Sequence, residues 1–426
     1  MNEMRLLRRS HFFYNIKKKG EILQISNSLV AMEGSNRMNN FIFENTTKVY
    51  FGKGCVKEYL ACLVKNYDKN VMFCYGEGSI KKNGIYEEVA AILKTTGLAV
   101  YEFAGIQPGP FYSKVLEGAE FARENQIGLI LGAGGGSVTD FCKAVSIAAK
   151  YNGDIWADFW ESPGVFGFEP LPVGIIPTVS GTGSECNGRT VITNDRLKIK
   201  TGRDYMQCSP RFALLDPSYA YSASKPQVIS GGFSTLSHVM EIYFSGLDGD
   251  NVTDDIAEAL IKNIIRNLRK AIYNPRDYTA RSNLMWAAVV AADRITKAGK
   301  RGSSWCCQMV HQLEACTGCN YGTGLAVMLP VYYRHIYKDR LAKFCRFAVN
   351  VWGITEEEKS DEEIAIAGIE ALEAFIKETG LPSSLYKPGM DKTGVIEETA
   401  VLCGAVPGSY NKMPYKEVIG LIGECF

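Results

Sequence analysis

The chain has 426 residues, 46% of them hydrophobic, with a formal net charge of +1 at pH 7, enough to bury a full core in two domains. Its near-neutral balance gives no electrostatic basis for nucleic-acid or membrane-surface partners, and no apolar run approaches the roughly 20 residues of a transmembrane helix. Thirteen cysteines, an odd number scattered along the chain, fit a reducing compartment better than a disulfide framework, so a cytoplasmic protein is expected.

Residues 1–37 are basic (Arg5, Arg8, Arg9, Lys17, Lys18, Lys19) and lack sustained periodicity. They have no apolar core or cleavage site of a signal peptide, and Glu3, Glu21 and Glu33 argue against a transit peptide. They read as a poorly ordered extension ahead of a natural start at Met38. From residue 38 to 221, short apolar runs alternate with helical stretches. Thr47–Phe51, Val71–Tyr75, Val100–Phe103, Ile127–Leu131, Val173–Ile176 and Ala213–Leu215 are predicted strands, several apolar throughout as strands buried on both faces are. This predicts an open α/β sheet with ligand sites at the strand carboxyl ends. Residues 222–426 are predicted to be all helical. Ile256, Leu260, Ile264 and Leu268 set one apolar stripe, widened by Ile261 and Ile265. Met285–Ala298, Leu341–Val351 and Ile364–Glu378 continue the pattern.

Three glycine-rich segments follow strands. Gly134-Gly135-Gly136-Ser137-Val-Thr-Asp140-Phe-Cys-Lys143 comes just after the strand ending at Leu131. Adjacent glycines let backbone amides approach a pyrophosphate, and the next helix offers its positive end; Asp140 and Lys143 share a helix face. A plain strand-to-helix turn is the alternative, and the segment is not a G-x-G-x-x-G fingerprint. Tyr75-Gly76-Glu77-Gly78-Ser79 places a carboxylate where an adenine ribose could lie, or is a solvated turn. Thr178-Val-Ser-Gly181-Thr182-Gly183-Ser184-Glu185 is a donor-rich loop suited to a phosphate or a nicotinamide ring, or an ordinary turn.

These segments in this order, with Phe51-Gly-Lys-Gly54, Leu215-Asp-Pro217 and Asn283-Leu-Met-Trp286, resemble the iron-containing alcohol dehydrogenase family, in its butanol dehydrogenase and aldehyde reductase branch. The resemblance runs from about Met38 nearly to the end. It implies a dehydroquinate-synthase-like fold, in which an α/β nucleotide domain and a helical metal and substrate domain face each other across the active site. It also implies homodimers and a small alcohol or aldehyde substrate. By that resemblance Gly135, Gly136, Ser137 and Asp140 hold pyrophosphate and ribose, with Lys143 on the same helix. Thr178, Thr182 and Lys200 approach the nicotinamide, and Gly76, Glu77, Gly78 and Ser79 meet the adenosine. Glu77 stands where the NADP-using branch has glycine, which favours NAD over NADP because a carboxylate repels a 2′-phosphate.

The family binds a divalent metal, iron or zinc, through one Asp and three His, which polarises the substrate oxygen. Here the matching positions read Ser234, His238, His311 and Tyr321. The resemblance leaves His238 and His311 as metal ligands, with serine and tyrosine replacing the other two. Cys316-x-x-Cys319 nearby has a metal-compatible spacing, or is two reduced thiols at a helix end, while Cys306 and Cys307 read as helix packing. Three functions are compatible with these residues. One is an NAD(P)-dependent alcohol/aldehyde oxidoreductase with a degenerate metal site. The second is a non-catalytic dinucleotide-binding member of the family. The third is a metal-free carbonyl reductase with Tyr321 as its catalytic proton donor.

Overall fold

The computed structural model describes residues 38–67, 69–162, 164–246, 250–300, 305–405 and 413–426; the extension expected over residues 1–37 lies outside them. Six strands form a parallel sheet: β1 (Lys48–Phe51), β2 (Asn70–Tyr75), β3 (Val100–Phe103), β4 (Ile127–Gly134), β5 (Val173–Pro177) and β8 (Phe212–Leu215). Their order is β1-β8-β5-β4-β2-β3. The four inner strands are almost wholly buried, which explains why their sequences are apolar without alternation. The predicted strands therefore all appear, Val100–Phe103 with both ends as expected and the others with an end moved by a residue or more. β4 runs on to Gly134 because its small residues still pair with β5.

Helices α1 (Cys55–Val64), α2 (Ser79–Lys82), α3 (Ile85–Lys94), α4 (Tyr112–Glu124) and α5 (Gly136–Ala148) belong to this half. Val56, Leu60 and Val89 from α1 and α3 pack on one face of the sheet. Val115, Phe141 and Val145 from α4 and α5 pack on the other, giving the doubly wound arrangement.

An antiparallel hairpin of β6 (Arg189–Asn194) and β7 (Ile199–Asp204) was not foreseen in the sequence. Its buried face on β6 is Thr190, Ile192 and Asn194, so two of the three inward residues are polar and the usual alternation is hidden.

The helical half begins at α6 (Lys225–Tyr243), started by a capping box in which Ser224 and Gln227 each bond the other's backbone. It continues through α7 (Val252–Tyr273), α8 (Tyr278–Ala292), α9 (Trp305–Thr317), α10 (Tyr321–Ile336), α11 (Leu341–Phe347), α12 (Asp361–Thr379), α13 (Lys392–Ala405) and α14 (Tyr415–Glu424). In α7 the buried stripe centres on Ala257, Ile261, Ile264, Ile265 and Leu268, with Ile256 and Leu260 at its edge. The helix is thus rotated from the expected face. Small Ala257 belongs inside because α6 lies close against this helix. The helix predicted over Met285–Ala298 stops at Ala292, and Asp293 then caps a short turn, Arg294–Lys297, through Ile295 N–H. Both halves belong to one compact unit, Met38–Phe426. No described helix is long and apolar enough to cross a membrane.

Candidate functional site

The sheet reverses its winding between β2 and β4. The chain leaves β2 for β3 on one side and returns to β4 on the other, with Tyr75 opposite Ala133. A crevice opens at such a switch point, beyond the strand carboxyl ends. Two of the glycine-rich segments lie there side by side: Gly76–Ser79 after β2 and Gly134–Ser137 at the end of β4. Gly135 precedes α5 without any side-chain cap, so the first turn of that helix presents free amides. A Cβ on Gly136 would lie 2.6 Å from the Thr182 methyl; only glycine lets the third segment close over the second.

A cavity of about 280 Å³ lies between this edge and the helices. Gly136, Ser137, Asp140, Thr182 and Lys200 line its nucleotide side. Ser137 Oγ accepts from Gly109 N–H at 3.1 Å. Asp140 accepts from Ser184 Oγ and from Val191 N–H at 3.2 Å, and burial pushes its carboxyl above the usual range. Lys200 pairs with Glu314 of α9 at 2.6 Å. Gly135 packs under Val179 beside this wall. Thr178 is buried behind the wall, its N–H bonded to Gly134 at 3.0 Å. Gly76, Glu77, Gly78 and Ser79 flank the cavity at the neighbouring strand end, where Glu77 accepts from Gln107 at 3.3 Å.

Lys143 corrects the sequence expectation. Its ammonium is fully buried behind the cavity lining and donates to Ser184 O at 2.8 Å and Asn187 O at 3.2 Å. It also lies 3.6 Å from Asp140. The i, i+3 spacing turned it inward to tie down the β5–β6 connection, so it is not available to a ligand.

Ser234, His238, His311 and Tyr321 line the opposite wall of the same cavity. The first two come one turn apart from α6, His311 comes from α9, and Tyr321 opens α10 behind the Asn320 cap. Ser234 Oγ, His238 Nδ1 and His311 Nδ1 are buried without hydrogen-bond partners among the described residues. Burial, followed by the nearby Arg189 charge, depresses His238 to about 3. His311 is also held well below the ordinary range by burial. The ring of Tyr321 stacks on His311 at 4.8 Å and 13°.

Among the described residues no three His, Cys, Asp or Glu side chains converge to hold a metal. The four positions offer two neutral imidazoles, a hydroxyl and a phenol whose proton is held by burial, with no anionic donor among them. Cys316 and Cys319 are not the remedy. Neither lines the cavity; Cys316 faces Thr399 of α13, and Cys319 lies against Gly324 of α10.

Several lining residues escaped the sequence reading. Glu241 continues the Ser234–His238 face of α6 by one further turn, and that spacing alone could have found it. Its carboxylate accepts from Cys307 N–H at 2.6 Å, and burial raises it to about 7. Cys307, expected to be packing only, lines the cavity and hydrogen-bonds Tyr321. Arg189 and Lys297 reach the same wall from β6 and from the turn after α8; nothing in their local sequence marks them.

Residues 46–217 match the family model for iron-containing alcohol dehydrogenase, and residues 228–421 match the model for the C-terminal part of that family. The chain belongs to the iron-containing alcohol dehydrogenase family. It is 36% identical over 393 residues to NADH-dependent butanol dehydrogenase A of Clostridium acetobutylicum, covering 91% of this chain and 100% of that protein. The NADPH-dependent aldehyde reductase YqhD of Escherichia coli is 33% identical, covering 84% of this chain and 91% of the reductase. The crystal structure of a butanol dehydrogenase A from Thermotoga maritima superposes with a TM-score of 0.84 at 34% identity, covering 91% of this chain and 99% of that one. Within this family the α/β half followed by a helical half is the shared architecture, and the cavity between them is where the two matched segments meet.

Proposed function

We propose that this chain is a nicotinamide-dependent alcohol/aldehyde oxidoreductase, preferring NAD(H), whose family metal site has degenerated. One observation carries the reading: the glycine loop before α5 and the His238–His311–Tyr321 wall line a single cavity. Bound there, a nicotinamide supplies or accepts the hydride. The chain's own residues do the rest. Amides of the α5 first turn seat the pyrophosphate, and Asp140 and Thr182 border the ribose and nicotinamide path. Tyr321 and the imidazoles of His238 and His311 face the place left for the substrate oxygen. Their O–H and N–H groups hydrogen-bond that oxygen as charge develops on it. Burial keeps both imidazoles neutral, so the wall stabilises by hydrogen bonds rather than by fixed charge.

Glu77 supports NAD(H), because a carboxylate after β2 would repel a 2′-phosphate seated at that strand end. The relatives differ here, one named for NADH and one for NADPH. The reading takes the protein to be a cytoplasmic homodimer. Its test is NADH-dependent reduction of butanal by metal-stripped protein, alongside metal analysis of the protein as purified. Turnover that survives chelation supports it. Failure to bind either dinucleotide overturns the nucleotide assignment, and stoichiometric metal required for turnover overturns the degenerate site.

A further inference from the structure

Most cations in and beside the cavity are held in ion pairs. Lys143 is tied to Asp140, Lys200 to Glu314, and Arg294 to Asp204 at 3.5 Å. Arg189 and Lys297, which line the cavity beside His238 and Glu241, form no ion pair with any described carboxylate. Both are half-buried. Burial lowers the Lys297 ammonium and repulsion from Arg189 lowers it further, with Asp204 acting only partly against them. Holding two like charges close together in a partly dry cleft costs free energy, and folded proteins normally place a counter-anion against such a pair.

Asp204 and Glu241 are the candidates inside the protein, and Asp204, opposite Arg189 in the hairpin, is paired with Arg294; Glu241 is the other. Its carboxylate is engaged instead by the backbone at Cys307 and raised to about 7 by burial, so near neutrality it is a weak counter-charge. Arg189 acts on Asp140 of the nucleotide side as well, but both cations reach the helical wall. Arg189 begins β6, Lys297 ends the turn after α8, and both interact electrostatically with His238 on the helical wall.

We propose that Arg189 and Lys297 form an anion-recognition site for the substrate, selecting an aldehyde or alcohol that carries a carboxylate at its other end. The proposal rests on the oxidoreductase reading for the reacting end of the molecule, but the anion site stands on its own geometry. A carboxylate accepts two hydrogen bonds from a guanidinium and a third from an ammonium, and such charge-assisted bonds gain strength in a desolvated cleft. With the carboxylate anchored there, the aldehyde end of a short chain extends along the wall toward His311 and Tyr321. A simple aliphatic alcohol has nothing to offer these cations and leaves them unpaired.

The test uses the full-length protein and separates binding from turnover. Butanoate and butanamide, equal in length and shape but differing in charge, are titrated by calorimetry into protein saturated with NAD. Butanoate is expected to bind at least ~10-fold more tightly, about 1.4 kcal/mol. Lys297→Met and Arg189→Met should each reduce that preference about 5-fold or more while butanamide binding stays level; two variants guard against one failing to fold. Equal affinity for the two probes overturns the proposal, as does a preference that persists in both variants. Butanoate that competes with NADH also overturns it, since the cations would then serve the dinucleotide. In parallel, 4-oxobutanoate and butanal are compared as substrates. Selective butanoate binding with no turnover of either aldehyde would sink the oxidoreductase reading and leave the anion site standing.

Discussion

The two walls of the cavity are built on different principles. The nucleotide wall starts from main chain, glycines and a helix start, with Ser137, Asp140, Thr182 and Lys200 set around them. The helical wall is all side chains, Ser234, His238, Glu241, Cys307, His311 and Tyr321, supplied by three helices. Backbone geometry is set by the sheet and tolerates little variation, whereas a side chain can be exchanged without moving its helix. The contrast shows how a family's dinucleotide seat can persist while the groups facing it change.

The sharpest way to break this contrast is to add a side chain to the backbone wall. Gly136→Val drives a branched carbon into Thr182 and should weaken NADH binding by about 100-fold, roughly 2.7 kcal/mol, in a fluorescence titration. Unchanged affinity would mean that the dinucleotide lies elsewhere. The helical wall should yield to rebuilding instead. Restoring Ser234→Asp together with Tyr321→His adds an anionic donor and a nitrogen donor, and should raise zinc or iron affinity by about 10-fold or more, read by competition with a chelator. Cys307, which bonds Tyr321, is the residue next in line to limit that recovery. A wild-type protein that already holds a full equivalent of metal through purification would refute the premise.

Smaller effects test the rim. NADH should bind about 10-fold tighter than NADPH, and Glu77→Gly should narrow that ratio to within about 3-fold, mainly by strengthening NADPH. The least effect is expected from Cys316→Ser with Cys319→Ser. Both thiols face away from the cavity, so metal content and NADH affinity should change by less than about 2-fold. A clear loss of metal in that variant would restore the thiolate site that the structure argues against.

How legible each part was in the sequence follows from the same distinction. Inner strands such as Val71–Tyr75 and Val173–Ile176 announce themselves because burial on both faces forces unbroken apolar runs. The Gly134–Ser137 turn is visible because backbone requirements restrict residue choice to glycine. The β6–β7 hairpin was hidden by its inward Thr190 and Asn194. Lys143 misled because i, i+3 spacing fixes which face of a helix two residues share but not what that face touches. Arg189, Lys297 and Cys307 were illegible for a related reason. They come from three separate elements, and only tertiary packing makes them neighbours of His238.

The loop after β5 meets the helices through main chain. Gly183, at φ +61°, lies against the backbone of Ala288 in α8, and Gly231 of α6 lies against Ser180 with no room for a Cβ on either glycine. A side chain at such a seam could rotate aside; a peptide plane cannot. Mutational drift is therefore closed off along this line, because any larger residue would wedge the walls apart and spoil the fit at Thr182. Drift remains open on the cavity floor, where a changed side chain meets empty volume rather than a neighbour's backbone. The protein thus carries a fixed margin and an editable interior, and new substrate preferences can be written into the second without reopening the first.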